Sequence, residues 1–131
     1  MLKPFMGRLS DKMGRRIPIV LGSLVSALSL IMIPFTLQFL PLLLISVTFG
    51  IGFSMVTSST PALVSELTEE NLVGTGMGFL GTIMDVGQTL GPIITGFILA
   101  TSFGYVGSFL ALTAIILATC AIFAVAEVAK R

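Results

Sequence analysis

The sequence contains no histidine. Catalysis by an imidazole, and metal binding through one, are therefore excluded. Cysteine occurs once, as Cys120 in an apolar run, so the chain makes no internal disulfide and no cysteine-based metal site. Charge is scarce too: seven Lys and Arg and six Asp and Glu make up 10% of the 131 residues. A soluble domain carries about 25% charged residues, so this chain has too few to cover a water-facing surface. Its net charge of +1 offers nothing to a nucleic acid. No nucleophile motif or phosphate-binding loop is visible. The close glycines of "GTGMGFLG" open an apolar helix with no strand before them, which removes a dinucleotide-binding reading. Neither enzymatic activity nor a cofactor nor a metal is expected.

Apolar residues are plentiful, at 55% of the chain, and the mean hydropathy is +1.09. A bilayer-spanning helix needs roughly 20 apolar residues to cross about 30 Å of hydrocarbon. Four such runs can be read, over residues 17–35, 40–64, 73–100 and 105–126. Pro18 sits near the start of the first, where a missing N–H costs little. Pro41 enters the second and Pro61 bends it, and Pro92 lies inside the third. The first run follows a charged segment rather than a short basic leader, so it is not a cleavable signal. The expected fold class is an all-α membrane protein with four transmembrane helices.

All seven Lys and Arg lie at the ends of the chain: Lys3, Arg8, Lys12, Arg15, Arg16, Lys130 and Arg131. The turns after the first and third runs, "FTLQFLP" and "ATSFGYVG", carry no charge. The positive-inside rule then places both termini in the cytoplasm, as an even number of spans requires. The loop "SELTEENL", with Glu66, Glu69 and Glu70, falls on the same side. This divides the chain into a cytoplasmic loop at 1–16, a four-helix membrane segment at 17–126 and a cytoplasmic tail at 127–131. The expected location is a plasma or inner membrane.

Within the leading loop, "GRLSDKMGRR" gathers Arg8, Asp11, Lys12, Arg15 and Arg16 between two glycines. The glycines allow a tight turn, and Asp11 can accept backbone N–H bonds there or at a helix N-terminus. A plain topogenic basic cluster would account for the charges alone, but not for the ordered pattern Gly-x-Leu-x-Asp-x-x-Gly-Arg-Arg. Gly7, Leu9, Asp11, Gly14, Arg15 and Arg16 resemble the cytoplasmic loop motif of the major facilitator superfamily of secondary transporters. A second resemblance lies in "GQTLGPIITG": Gly87, Gly91, Pro92 and Gly96 resemble the Gly-Pro motif of its drug:proton antiporters. Glycines four apart form a flat stripe on which another helix packs closely, and Pro92 removes one backbone bond and bends the helix.

The resemblance implies a twelve-helix fold made of two six-helix halves, of which four spans are a third. The loop motif precedes the third or the ninth span in that family. The helix "LLISVTFGIGFSM" lacks the Arg usual in the fourth span, and "AEVAKR" follows the last span closely. Both favour spans nine to twelve, in the C-terminal half. The implied function is a fragment of a secondary active transporter moving a small solute by alternating access, with proton-coupled efflux. The implied partners are the lipid bilayer, the remaining spans, a small-molecule substrate and protons. By the same resemblance Asp11 would meet a helix N-terminus of the other half, and Arg15 would pair with an acid at the cytoplasmic end of the next-but-one helix, a place that Glu66 at the end of the second run fits, so that Asp11, Arg15 and Glu66 form one gating cluster. Alternatives of other classes are a small dimeric four-helix multidrug exporter and a non-transporting membrane accessory subunit. The former is disfavoured by the lack of an acid in the first span.

One acid is expected deep in the membrane. Asp85 lies about twelve residues into the third run, or roughly 18 Å at 1.5 Å per residue. An intramembrane carboxylate is costly to bury charged and marks a functional site by default. The competing reading is a structural acid bonded to a polar neighbour such as Gln88, one helical turn on. Asp85 and Gln88 are thus the candidate proton and substrate residues.

Overall fold

Most hydroxyls among the described residues are committed to their own helix. The Ser and Thr side chains at positions 23, 29, 46, 48, 60, 82, 89, 95, 108, 113 and 119 each donate to the carbonyl four residues back, at 2.7–3.1 Å. In hydrocarbon no water can take these protons, so back-bonding is how a polar side chain survives there. The computed structural model describes residues 16–101 and 104–128. It contains four long helices: α1 (Arg16–Met32), α2 (Phe39–Leu67), α3 (Val73–Leu99) and α4 (Gly104–Val128). All four are long and apolar enough to cross a membrane.

Proline and glycine set the breaks. Pro18 falls in the first turn of α1, where helical N–H groups have no partner anyway. Pro34 has no N–H to give the Leu30 carbonyl, and the chain tightens into a single 3₁₀ turn, Ile33–Phe35. Pro61 and Pro92 stay inside α2 and α3. They leave the carbonyls of Thr57 and Gln88 without a helical donor. Between α3 and α4 the backbone turns through Gly104, whose φ of +54° lies in the left-handed region; there a Cβ would press on the following carbonyl.

Two boundaries differ from the sequence reading. Ser65, Glu66 and Leu67 continue α2 instead of opening the loop, and Glu70–Leu72 form a 3₁₀ turn. Likewise α4 runs past residue 126 to Val128. Hydropathy reports where the hydrocarbon ends, whereas a helix continues into the polar interface because its backbone bonds are still favourable there.

The helices do not share burial equally. In α1, 39% of the most apolar stretch is buried, against 6% in α2, none in α3 and 6% in α4. α1 is the centre, packed against α2 and α4, while α3 touches its neighbours lightly. Among the described residues the apolar core is Ile19, Ala27, Leu30 and Leu63, and Ser26, Ser29, Ser59, Ser108 and Thr113 are buried beside it. Small side chains dominate because lipid is as apolar as Leu, so helices associate through close packing rather than through escape from water.

The closest approach is between α1 and α2. A Cβ on Gly22 would lie 2.7 Å from the Gly52 carbonyl oxygen, and one on Gly52 would lie 2.7 Å from both the Gly22 carbonyl oxygen and Ser26 Oγ. Gly22 also faces Met55 and Val56. Moving from Gly22 to Ser26 therefore means moving back along α2 towards Gly52, so the helices run antiparallel. Ser26 Oγ is buried in this crossing and has no hydrogen-bond partner.

Candidate functional site

Among the described residues, α3 carries the one acidic or basic side chain that lies far from a helix end. Asp85 stands at the middle of its Val73–Leu99 span, with Gln88 one turn on. Both side chains are exposed from the fold of this chain, and no hydrogen bond joins them. The neighbouring hydroxyls turn away from them: Thr82 donates to the Gly78 carbonyl at 3.0 Å and Thr89 to the Asp85 carbonyl at 2.9 Å. Pro92 adds one more polar group, since the Gln88 carbonyl is the acceptor that its missing N–H would have used. A carboxyl, an amide and a free carbonyl thus occupy one turn and a half of an apolar helix. Such a group of atoms can hold and release a proton or orient a polar solute, provided that other helices shield it from lipid.

All but one of the glycines of the same helix are bare; the exception is Gly76, which faces Thr68 and Val64. A Cβ placed on Gly87, Gly91 or Gly96 meets nothing within 4 Å, and the same holds for Gly74, Gly78 and Gly81. No residue of α3 is buried. The stripe and the Asp85 region are thus both without cover from α1, α2 or α4.

Of the loop motif, Gly7, Leu9, Asp11, Gly14 and Arg15 lie outside the described residues. Arg16 is the first residue of α1 and Glu66 lies in the last turn of α2. The antiparallel packing of α1 and α2 brings these two helix ends to the same end of the bundle.

The sequence reading passed over the best-packed glycines, Gly22 and Gly52. The signal was present. Gly22 and Ser26 are four apart, the small-xxx-small spacing that lets helix backbones approach. It was overshadowed by the more conspicuous glycines of α3, six of which meet nothing within the chain.

A bundle of four apolar helices, with small residues at its seams and hydroxyls bonded to their own backbones, is a multi-pass α-helical membrane protein. Comparison with known families makes this specific. The family model described as "Major Facilitator Superfamily" matches residues 1–131, and the chain belongs to that family. It is 29% identical over 101 residues to the "Quinolone resistance protein NorA" of Staphylococcus aureus, covering 77% of this chain and 26% of that protein. It is 28% identical over 95 residues to an "Uncharacterized MFS-type transporter" of Methanocaldococcus jannaschii, covering 72% of this chain and 24% of that protein. The chain thus spans about a quarter of the length of the curated relatives that it matches. No solved structure matches it.

Proposed function

We propose that this chain is the last third of a proton-coupled efflux transporter, spans nine to twelve of twelve, working by alternating access. The observation that carries the reading is Asp85. It is the one Asp, Glu, Lys or Arg side chain away from the ends of the four spans, on a helix with no buried residue. A bare carboxyl in hydrocarbon is too costly to persist, so the missing spans would cover it and form a proton path with it. The whole-chain family match supports transport over a small dimeric exporter or an accessory subunit. The name of the Staphylococcus aureus relative, a quinolone resistance protein, supports efflux of a small organic solute. Both termini are cytoplasmic in this reading, in a plasma or inner membrane.

Asp11, Arg15 and Glu66 form the gate. A charge-assisted Arg15–Glu66 bond that is made in one access state and broken in the other would bias the equilibrium between them. The Gly87, Gly91, Pro92 and Gly96 stripe is where α3 packs on the missing helices.

Asp85→Asn in the full-length protein is the decisive experiment, because it keeps the size and removes the titration. pH-gradient-driven transport should be lost, while membrane insertion stays intact and solute exchange at fixed pH is less affected. Driven uptake at the wild-type rate would remove Asp85 from the mechanism and leave any coupling acid in the other spans. The gate is tested by exchanging charges at Arg15 and Glu66. Each single reversal should impair transport and the double exchange should restore part of it; no restoration would break the pair.

A further inference from the structure

The turn from α1 to α2 carries no charge, and neither do the helices on its two sides: from Ile17 to Ser65 there is no Asp, Glu, Lys or Arg. Its large apolar side chains stand free of the fold. Leu37 is 99% exposed, Phe39 78%, Phe35 69% and Leu40 68%. The hydroxyl of the turn is already engaged, since Thr36 donates to the Met32 carbonyl at 2.8 Å. That leaves Gln38 as the remaining polar side chain over residues 35–40. Neighbouring apolar side chains displayed in this way mark contact with a partner rather than with water.

The length of the first span and the needs of the backbone identify the partner. Arg16–Phe35 is one apolar span of 20 residues. Its α-helical part and the closing 3₁₀ turn together rise about 31 Å, close to the roughly 30 Å thickness of the hydrocarbon. The turn therefore begins where the hydrocarbon ends. The backbone keeps it from sinking deeper. No side chain caps the start of α2, so the N–H groups of Phe39 and Leu40 in its first turn have no acceptor in the chain. In hydrocarbon each would be costly; at the interface, water and the oxygens of phospholipid headgroups and esters accept them. The apolar side chains disfavour water and the bare N–H groups disfavour the membrane interior, and the interface satisfies both. Neighbouring spans fit less well as the cover. They run beside α1 and α2, whereas this surface closes the end of the pair, and Phe39 and Leu40 project about 100° apart around α2. The turn at the other end of α2 differs in kind, carrying Glu66, Glu69 and Glu70 as a water-facing turn does.

We infer that residues 35–40 form a lipid-embedded turn that docks the α1–α2 pair on the phospholipid surface of one leaflet. Phe35, Leu37, Phe39 and Leu40 enter among the uppermost acyl methylenes, and the start of α2 lies level with the headgroup and ester oxygens. Having no charge, the turn does not select a headgroup charge. The inference rests on neither Asp85 nor the transport reading.

Fluorescence depth measurement tests it. The chain has no Trp, so one introduced residue reports alone. Leu37→Trp disturbs no packing, because Leu37 is almost wholly exposed. Glu69→Trp, also at an exposed position, places the same reporter in the opposite turn. The full chain is placed in phosphatidylcholine vesicles whose acyl chains carry bromine either high up or near their ends. Leu37→Trp should emit to the blue of Glu69→Trp and lose most of its emission to the high bromines, less to the terminal ones and little to acrylamide in the water. Glu69→Trp should be quenched by acrylamide and hardly by bromine. Adding phosphatidylglycerol should leave the Leu37→Trp result unchanged. Acrylamide quenching of Leu37→Trp as strong as that of Glu69→Trp puts the turn in water and overturns the inference. Strongest quenching by the terminal bromines overturns it too, by putting the turn in the membrane interior. So does blue emission that neither bromine nor acrylamide quenches, because protein then covers the turn.

Discussion

Two helices of this chain look alike on paper and behave in opposite ways. α1 and α3 are both apolar and both carry small residues at helical spacing, and α3 carries far more glycine. Yet α1 is the centre of the bundle, and Gly22 is so close to α2 that a Cβ would lie 2.7 Å from the Gly52 carbonyl oxygen. α3 has no buried residue, and six of its glycines face open space. A small-residue stripe therefore shows that a helix is built for close packing; it does not show with which helix. In α1 the partner lies within the chain. In α3 six of the seven glycines meet no partner within the chain, which is about a quarter as long as its relatives.

The strongest way to break this comparison is at Gly52. Gly52→Val would drive a branched side chain into the Gly22 carbonyl and Ser26, forcing α1 and α2 apart. A loss of about 3 kcal/mol is expected, at the upper end of overpacking costs, read as unfolding in detergent or by steric trapping in a bilayer. Stability unchanged from wild type would show that the α1–α2 crossing is not where the bundle is held.

Ser26→Ala sharpens the same seam. The hydroxyl is buried without a partner, and a buried unsatisfied donor costs about 1–3 kcal/mol. Removing it without adding volume should leave the chain as stable as wild type or up to about 1 kcal/mol more so. A clear loss would mean that the hydroxyl has a partner in the membrane.

The smallest effect is expected on the other side of the comparison. Gly91→Ala should change the stability of this chain by less than about 0.5 kcal/mol, as for a surface site, because its Cβ would meet nothing. In the full-length protein the same substitution should lower transport, because there the stripe is proposed to be covered. If the two proteins responded alike, α3 would have the same surroundings in both.

The legibility of the molecule follows this division. Asp85 could be placed at mid-helix from counting alone, since a span has a fixed rise per residue. The helix α2 ends three residues beyond its apolar run because hydropathy measures the hydrocarbon and not the helix, whereas the end of the fourth span at residue 126 was legible. Gly22 and Gly52 went unread because their importance lies in a contact between segments about thirty residues apart, and helical spacing describes only one segment at a time.

Composition and periodicity by themselves determined that the chain is helical, spans a membrane four times and carries one acid at mid-depth. These follow from the cost of unpaired backbone and isolated charge in hydrocarbon, which depends on local sequence only. The tertiary structure decided which helix is central, which glycines touch and that Ser26 is orphaned. Those depend on how close two backbones come, which is set jointly by small residues on both helices, and no single segment encodes it.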